Sequence, residues 1–282
     1  MKVGAIGAAG MLAVGFAGFA TGPAGAETLL ERGTYLMQSI VACGNCHTPQ
    51  NENGPIPGME LAGGLIIEED AFTAISANIT PDVATGIGGW TDEELAVGIR
   101  EGLRPDGSLI GPPMPFEVYH GLADRDVAAI VAYLRSIPPV ENAVPRSEYP
   151  FPLPPAYGPP VGSVPDVDPS DQVAYGEYLA GPAGHCMACH STPGETGVPD
   201  VINALGGGGL NMHGPWGVSV GANITPSGIG HYSDEELKTI ITAGVRPDGT
   251  RLLPPMPVGY YANMTDADVH AIIAYLRTLP PL

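Results

Sequence analysis

Cys43-Gly44-Asn45-Cys46-His47 returns 143 residues later as Cys186-Met187-Ala188-Cys189-His190, and this repeated pentapeptide decides how the rest of the sequence is read. The similarity extends well beyond it. Ala77-Asn78-Ile79-Thr80-Pro81 returns as Ala222-Asn223-Ile224-Thr225-Pro226. Asp92-Glu93-Glu94-Leu95, Arg104-Pro105-Asp106-Gly107, Pro112-Pro113-Met114-Pro115 and Ala132-Tyr133-Leu134-Arg135 each return 142 residues on. A period this long marks duplicated domains, not the units of roughly 20–50 residues that build solenoids.

Between the copies, residues 138–170 hold eleven prolines. Proline forbids helix and interior strand, so this stretch is expected to be extended, stiff and laid across the domains. The expected division is a first domain at 27–140, a proline-rich linker at 141–170 and a second domain at 171–282. Residues 1–26 carry Lys2, an apolar run and a terminal Ala24-Gly25-Ala26. They read as an export signal cut before Glu27, which puts the mature chain in the periplasm; left uncut, the same run would attach it to the inner membrane.

Forty Gly and 31 Pro, about a quarter of 282 residues, signal little regular structure, while 44% hydrophobic and only 15% charged residues argue against disorder. A net charge of −19 repels a phosphate backbone, so nucleic acid is excluded as a partner. Helix ends are legible in both copies. Thr91 with Glu94 and Ser233 with Glu236 form capping boxes, and Gly102 and Gly244 supply stops. The last helix of the second copy opens on Thr265; the first copy has Ala123 there, so its cap falls to Asp124. Val127, Ile130, Val131 and Leu134, like Val269, Ile272, Ile273 and Leu276, form an apolar stripe at helical spacing. Gly33 and Gly176, each inside a first helix, predict close approach of another helix. No period-two run is long enough to demand a sheet, so the class is mainly α with much loop.

Three chemistries use Cys-x-x-Cys-His. Two short disulfides would employ the four cysteines but leave the histidine unexplained in the same place twice. A zinc site needs four ligands per copy, and no further Cys and no repeated downstream His supplies the fourth. Covalent haem attachment uses every member: Cys43 and Cys46, or Cys186 and Cys189, form thioethers to one porphyrin, and His47 or His190 ligates its iron. The expected cofactors are therefore two covalently bound haem c groups. For the second axial position only Met114 and Met256 recur, 67 and 66 residues after the histidine, in loops stiffened by flanking prolines. Met59, Met187, Met212 and Met264 lack matching partners, and His120, His185, His213, His231 and His270 occur in one copy only. His/Met ligation raises the reduction potential and fills both axial sites, which describes a relay and assigns no catalytic residue.

The combined motifs, over residues 29–139 and 172–281, resemble class I cytochrome c domains. More narrowly, they resemble the cytochrome subunits of bacterial periplasmic alcohol, aldehyde and gluconate-type dehydrogenases. Those subunits commonly carry three haem motifs where this chain has two. The resemblance implies two tandem cytochrome c folds, each with its first helix crossing its last around a haem. It also implies a proline carbonyl after the Cys motif that orients the ligand histidine, for which Pro55 and Pro199 are the candidates. The expected function is a dihaem one-electron carrier, whose donor and acceptor are redox proteins: a dehydrogenase, another cytochrome or an oxidase. The alternatives are an electron-transfer subunit of a dehydrogenase complex, a dihaem enzyme of peroxidase or thiosulfate-oxidising type, and a disulfide-bonded secreted binding module. Gly63-Gly64 and Gly206 to Gly209 are expected to let backbone approach a flat ring, and Arg104 and Arg246 to sit in turns.

Overall fold

The computed structural model describes residues 26–282 except 70, 196 and 215. The expected export signal lies, apart from Ala26, outside the described residues. Each half runs through a similar series of elements. The first contains helix α1 (Leu29–Gln38), the short α2 (Gly44–His47), a hairpin of β1 (Gln50–Asn51) and β2 (Gly54–Pro55), and a hairpin of β3 (Ile66–Glu69) and β4 (Phe72–Ile75). Helices α3 (Asp92–Glu101), α4 (Phe116–Tyr119) and α5 (Asp124–Ser136) complete it. In the second, α6 (Gln172–Tyr178) leads through a π-helical turn, Leu179–Ala183, to α7 (Cys186–His190) and a hairpin of β5 (Asn211–Gly214) and β6 (Gly217–Val220). Then come α8 (Pro226–Ile229), α9 (Asp234–Ala243), α10 (Val258–Tyr261) and α11 (Asp266–Leu276). The fold is helical with small two-stranded sheets, whose strands of two to four residues are too short to leave a periodic signal. Among the described residues no helix is long and apolar enough to cross a membrane.

Both expected capping boxes form. The Glu94 and Glu236 amides donate to the Thr91 and Ser233 hydroxyls at 3.1 and 3.3 Å, and each carboxylate accepts from the cap's own amide at 2.7 Å. Helices α3 and α9 end at Gly102 and Gly244, both left-handed with φ of 66°. A third box, Thr28 with Glu31, starts α1.

Helix α5 departs from expectation. Its N-cap Ala123 makes no side-chain bond, and Asp124 does not cap it. The Asp124 carboxylate instead accepts from the Ser163 hydroxyl (2.7 Å), Arg100 (2.7 Å) and the Val164 amide (3.2 Å), while the Asp124 amide donates to the Val164 carbonyl (2.9 Å). The proline-rich segment thus closes the helix start. The Ser163 hydroxyl, then Arg100 and the Val164 amide, hold the Asp124 carboxyl down at about 2 from its ordinary 3.8. A depressed carboxylate contributes its stabilisation above the ordinary value and loses it as pH falls through the folded one. Amide exchange at Val164 is therefore expected to accelerate beyond its intrinsic pH trend as pH drops from about 4 to about 2. In Asp124→Asn that extra acceleration should vanish; its persistence would show that another group anchors the segment.

The helix pairs α1–α5 and α6–α11 form the centre of each half. A Cβ on Gly33 would lie 1.9 Å from the Ala129 carbonyl oxygen, and one on Gly176 would lie 1.9 Å from that of Ala271. The mid-helix glycines are thus the points where backbones touch. The apolar stripe on α5 and α11 is buried throughout. Arg135 donates to Asp92 at 3.0 Å and to the Ile87 and Trp90 carbonyls; Arg277 repeats this with Asp234 (2.8 Å) and the Tyr232 carbonyl (2.8 Å). These arginines anchor the turns ahead of α3 and α9, so Trp90 and Tyr232 are fixed from behind.

The halves meet through reciprocal contacts. The Tyr35 hydroxyl on α1 donates to Asp268 on α11 at 2.5 Å and accepts from the Thr265 amide at 3.1 Å. Its counterpart Tyr178 on α6 donates to Asp126 on α5 at 2.7 Å and accepts from the Ala123 amide at 3.3 Å. Asp126, buried, also takes two bonds of 2.8 Å from Arg32. A buried carboxylate is costly unless paired, and here each is met by a hydroxyl from the other half.

Candidate functional site

Each Cys-x-x-Cys-His lies on a short helix, α2 with Cys43 as its N-cap or α7, and the i, i+3, i+4 spacing puts both cysteines and the histidine on one helical face. Both are entered through a left-handed residue that is not glycine, Ala42 (φ 48°) or His185 (φ 42°). Such a conformation costs of order 1–3 kcal/mol and persists only where its surroundings enforce it.

His47 Nδ1 lies 2.8 Å from the Ala77 carbonyl oxygen and His190 Nδ1 lies 2.7 Å from that of Ala222. A carbonyl only accepts, so Nδ1 carries the proton and Nε2 presents a lone pair. Burial pushes the pKa of both rings down, which keeps them neutral as an iron ligand requires. The expected proline carbonyls are not the orienting groups. Pro55 pairs with Gln50 in the first hairpin, and Pro199 bridges to Pro193.

What brings the alanine carbonyls into place is close backbone packing. The Gly63 and Gly208 amides donate to the carbonyls of His47 and His190 at 2.7 and 2.6 Å. At φ of 73° and 75°, a Cβ on either would lie within 2.4–2.5 Å of the Ala77–Asn78 or Ala222–Asn223 peptide. These glycines, expected to face a flat ring, admit the peptide that holds the histidine. The Asn78 amide group then donates to the Val140 carbonyl (2.8 Å), as Asn223 does to that of Leu282 (2.8 Å). Their side-chain carbonyls accept from the Thr80 and Thr225 amides at 3.0 and 2.8 Å. The repeated Asn-Ile-Thr-Pro is therefore a latch that fixes the histidine's acceptor.

All four cysteines are unbridged. Burial raises Cys43 and Cys186 to about 12 and Cys189 to about 11, and Cys46 also rises, so the thiols stay neutral at neutral pH. Neutral sulfur in that setting suits thioethers, which carry no charge to bury. Among the described residues no group of three or more His, Cys, Asp or Glu side chains converges to hold a metal ion.

Met114 and Met256 are half-buried and pack against the core, as do Cys43, Ile79 and Trp90 in the first half and Cys186, Ile224 and Tyr232 in the second. Their loops are tied down by different donors. The Tyr149 hydroxyl reaches the Pro112 carbonyl, and the Ser219 hydroxyl reaches that of Pro254, each at 2.7 Å. Arg104 and Arg246 occupy turns, where their amides donate to Ser108 and Thr250 carbonyls at 2.9 Å.

The two motifs also lie near one another. Asn45, inside the first motif, donates to the Pro255 carbonyl next to Met256 at 3.0 Å, and a Cβ on Gly44 would lie 2.1 Å from the Tyr260 hydroxyl. Burial and, after it, the Cys46 thiol raise Cys189. Tyr119 and Tyr261 are buried beside the motifs, and the Tyr119 ring meets His185 edge-on at 5.8 Å between centroids. Nothing in the sequence linked these residues, because the contacts join the halves.

A cytochrome c family model matches residues 173–280. A protein described as a diheme cytochrome c-type from Cereibacter sphaeroides is 30% identical over 252 residues, 85% of this chain and 82% of that protein. The chain belongs to the cytochrome c family. It is also similar to the cytochrome c subunit of a quinone-type alcohol dehydrogenase from Gluconobacter oxydans, 33% identical over 294 residues, covering 97% of this cytochrome c and 59% of that subunit. A fructose dehydrogenase cytochrome subunit from Gluconobacter japonicus is 31% identical over 266 residues, covering 89% and 52%. The chain spans little more than half the length of these two subunits.

A cytochrome c holds haem c covalently, and the residues fit it. Paired neutral thiols, a histidine with its Nδ1 proton fixed on a carbonyl, and half-buried apolar side chains beside them are the donor set and walls such a group needs.

Proposed function

We propose that this cytochrome c is a periplasmic dihaem electron carrier, with tandem domains at 27–140 and 171–282 joined by the proline-rich linker 141–170. The observation that carries the reading is the duplicated histidine setting: His47 on Ala77 and His190 on Ala222, at 2.8 and 2.7 Å. Each haem, when bound, supplies a one-electron iron couple. Cys43, Cys46, Cys186 and Cys189 would anchor the rings, His47 and His190 would offer Nε2 to the irons, and Met114 and Met256 would supply thioethers as further ligands. Ligation of each iron by both a histidine and a methionine would leave no position for substrate, which is the behaviour of a relay. The Tyr35–Asp268 and Tyr178–Asp126 contacts hold the two centres in fixed relation, so that electrons entering at one leave at the other.

The names of its relatives support a dehydrogenase as the donor, either a separate protein or the catalytic subunit of a complex that includes this chain. The acceptor is another cytochrome or an oxidase, and the charge of −19 favours basic docking faces on partners. The test is haem per chain and a reduced-minus-oxidised spectrum of the purified protein. Two haems per chain, both low-spin, are expected. One haem, or a high-spin ferric form, would remove the relay reading in favour of a single-centre or catalytic protein.

A further inference from the structure

The two halves differ in what covers the outer edge of their larger hairpin. In the first half the proline-rich segment lies along β4. Thr73 bridges Glu148 in antiparallel fashion, and the Ser147 hydroxyl accepts from the Ile75 amide (2.8 Å) and donates to its carbonyl (3.2 Å). Arg146 pairs with Asp106 at 2.7 Å, and Tyr149, three residues on, packs against Gly111 in the Met114 loop.

In the second half the same positions are Val218, Val220, Asp248 and Leu253, and all are open. Val218, Val220 and Leu253 are 51, 60 and 50% exposed. Among the described residues sheet β5–β6 has no third strand, and the backbones of Val218 and Val220 make no hydrogen bond beyond the hairpin. Among the described residues Asp248, equivalent to Asp106, bonds only within its own turn, to Thr250 at 2.9 and 2.7 Å. An exposed strand edge flanked by apolar side chains is a template for pairing with another chain.

We propose that the outer edge of β6, with the Leu253 flank of the Met256 loop, is a docking strip for an extended segment of a partner protein that carries a basic residue three positions ahead of an aromatic one. The first half shows the occupant's chemistry: backbone pairing along the strand, a cation on the turn aspartate and a ring on the flank of the methionine loop. A second copy of this chain fits less well, because its own 146–149 segment is engaged on its own β4. The Pro254 carbonyl is already satisfied by Ser219, so the incoming ring packs on Leu253 without a hydroxyl bond. Docking would bring the partner beside Met256, whereas the Met114 flank is closed by Tyr149, and Tyr157 stacks on the adjacent Phe116 with centroids 4.9 Å apart. That consequence rests on the proposed carrier function; the docking itself does not.

The probe is a fluorescent peptide with the sequence of residues 144–157, titrated onto the full, haem-loaded chain and followed by anisotropy. Saturable one-to-one binding is expected, weakened about tenfold by Val220→Pro and by Leu253→Glu and less strongly by Asp248→Asn. The visible spectrum and melting profile of each variant, recorded in parallel, must match the parent. Asp106→Asn should leave binding unchanged. No saturation by about 1 mM peptide, a dissociation constant too weak to measure, would overturn the proposal. So would unchanged binding in both Val220→Pro and Leu253→Glu, loss of binding in Asp106→Asn, or binding seen only together with self-association of the chain. A sample that binds peptide but carries one haem would count against the carrier reading and leave the docking strip standing.

Discussion

Gly176→Ala is expected to melt roughly 10 °C below the parent protein, and Gly33→Ala to do the same to the first half. The added Cβ would sit 1.9 Å from a carbonyl oxygen of the crossing helix, and 2.5–2.7 Å from its carbon, in both halves. These are backbone atoms in the middle of α11 and α5, so no rotamer change relieves the overlap and the helices must separate. Overpacking of this kind costs typically 1–3 kcal/mol and occasionally more, and the backbone location puts these sites at about 3 kcal/mol. In a chain of this size each kcal/mol shifts the midpoint by roughly 2–4 °C. Gly89→Ala is the control, since among the described residues nothing beyond its own chain neighbours lies within 4 Å of its Cβ position. Thermal melts of the haem-loaded variants check this; a Gly176→Ala protein that melts with the Gly89→Ala control would show that the helix crossing is not the tight point of the fold.

The second large effect concerns the proposed haem centres. Met114→Ala and Met256→Ala are each expected to lower the potential of one haem by on the order of 0.2 V, within the roughly 0.8 V range that axial ligands span, and to leave the other nearly unchanged. A thioether favours Fe(II), and its loss lets water or hydroxide favour Fe(III). The two loops are held by separate donors, Tyr149 on Pro112 and Ser219 on Pro254, so the effects should separate. Any small crosstalk is expected through contacts such as that of Asn45, which reaches the Pro255 carbonyl from the first motif. Met264→Leu, a buried methionine without a counterpart in the first half, is the control. Potentiometric titration with optical readout decides: parental potentials in both alanine variants would assign the sixth ligand elsewhere.

Much of the candidate site was legible because its signals are local. Cys-x-x-Cys-His acts within one helical turn, capping boxes act over three residues, and a glycine in an otherwise helical pattern announces a close crossing. The orienting group of the histidines was not legible. It is the backbone carbonyl of Ala77 or Ala222, and a carbonyl has no letter of its own; the readable clue was the neighbouring Asn-Ile-Thr-Pro, whose latch role appears only when Val140 and Leu282 are seen to dock on it. The cap of α5 was misplaced for a related reason: Asp124 has the right chemistry for a cap, but Arg100, Ser163 and Val164, 24 to 40 residues away, compete for its carboxylate.

Residue order alone thus determined the duplication, the capped starts and glycine stops of α3 and α9, and the paired Cys-x-x-Cys-His motifs, since each depends on spacings of a few residues or on repetition of the same letters. Only the tertiary structure decided how the halves face each other, which carbonyls hold His47 and His190, and why one hairpin edge is covered while its twin is open. Tyr35 and Asp268 are 233 residues apart and Asn45 and Pro255 are 210 apart. Contacts at that range follow from how buried faces pack, and packing is a property of three-dimensional shape that no short window of sequence contains.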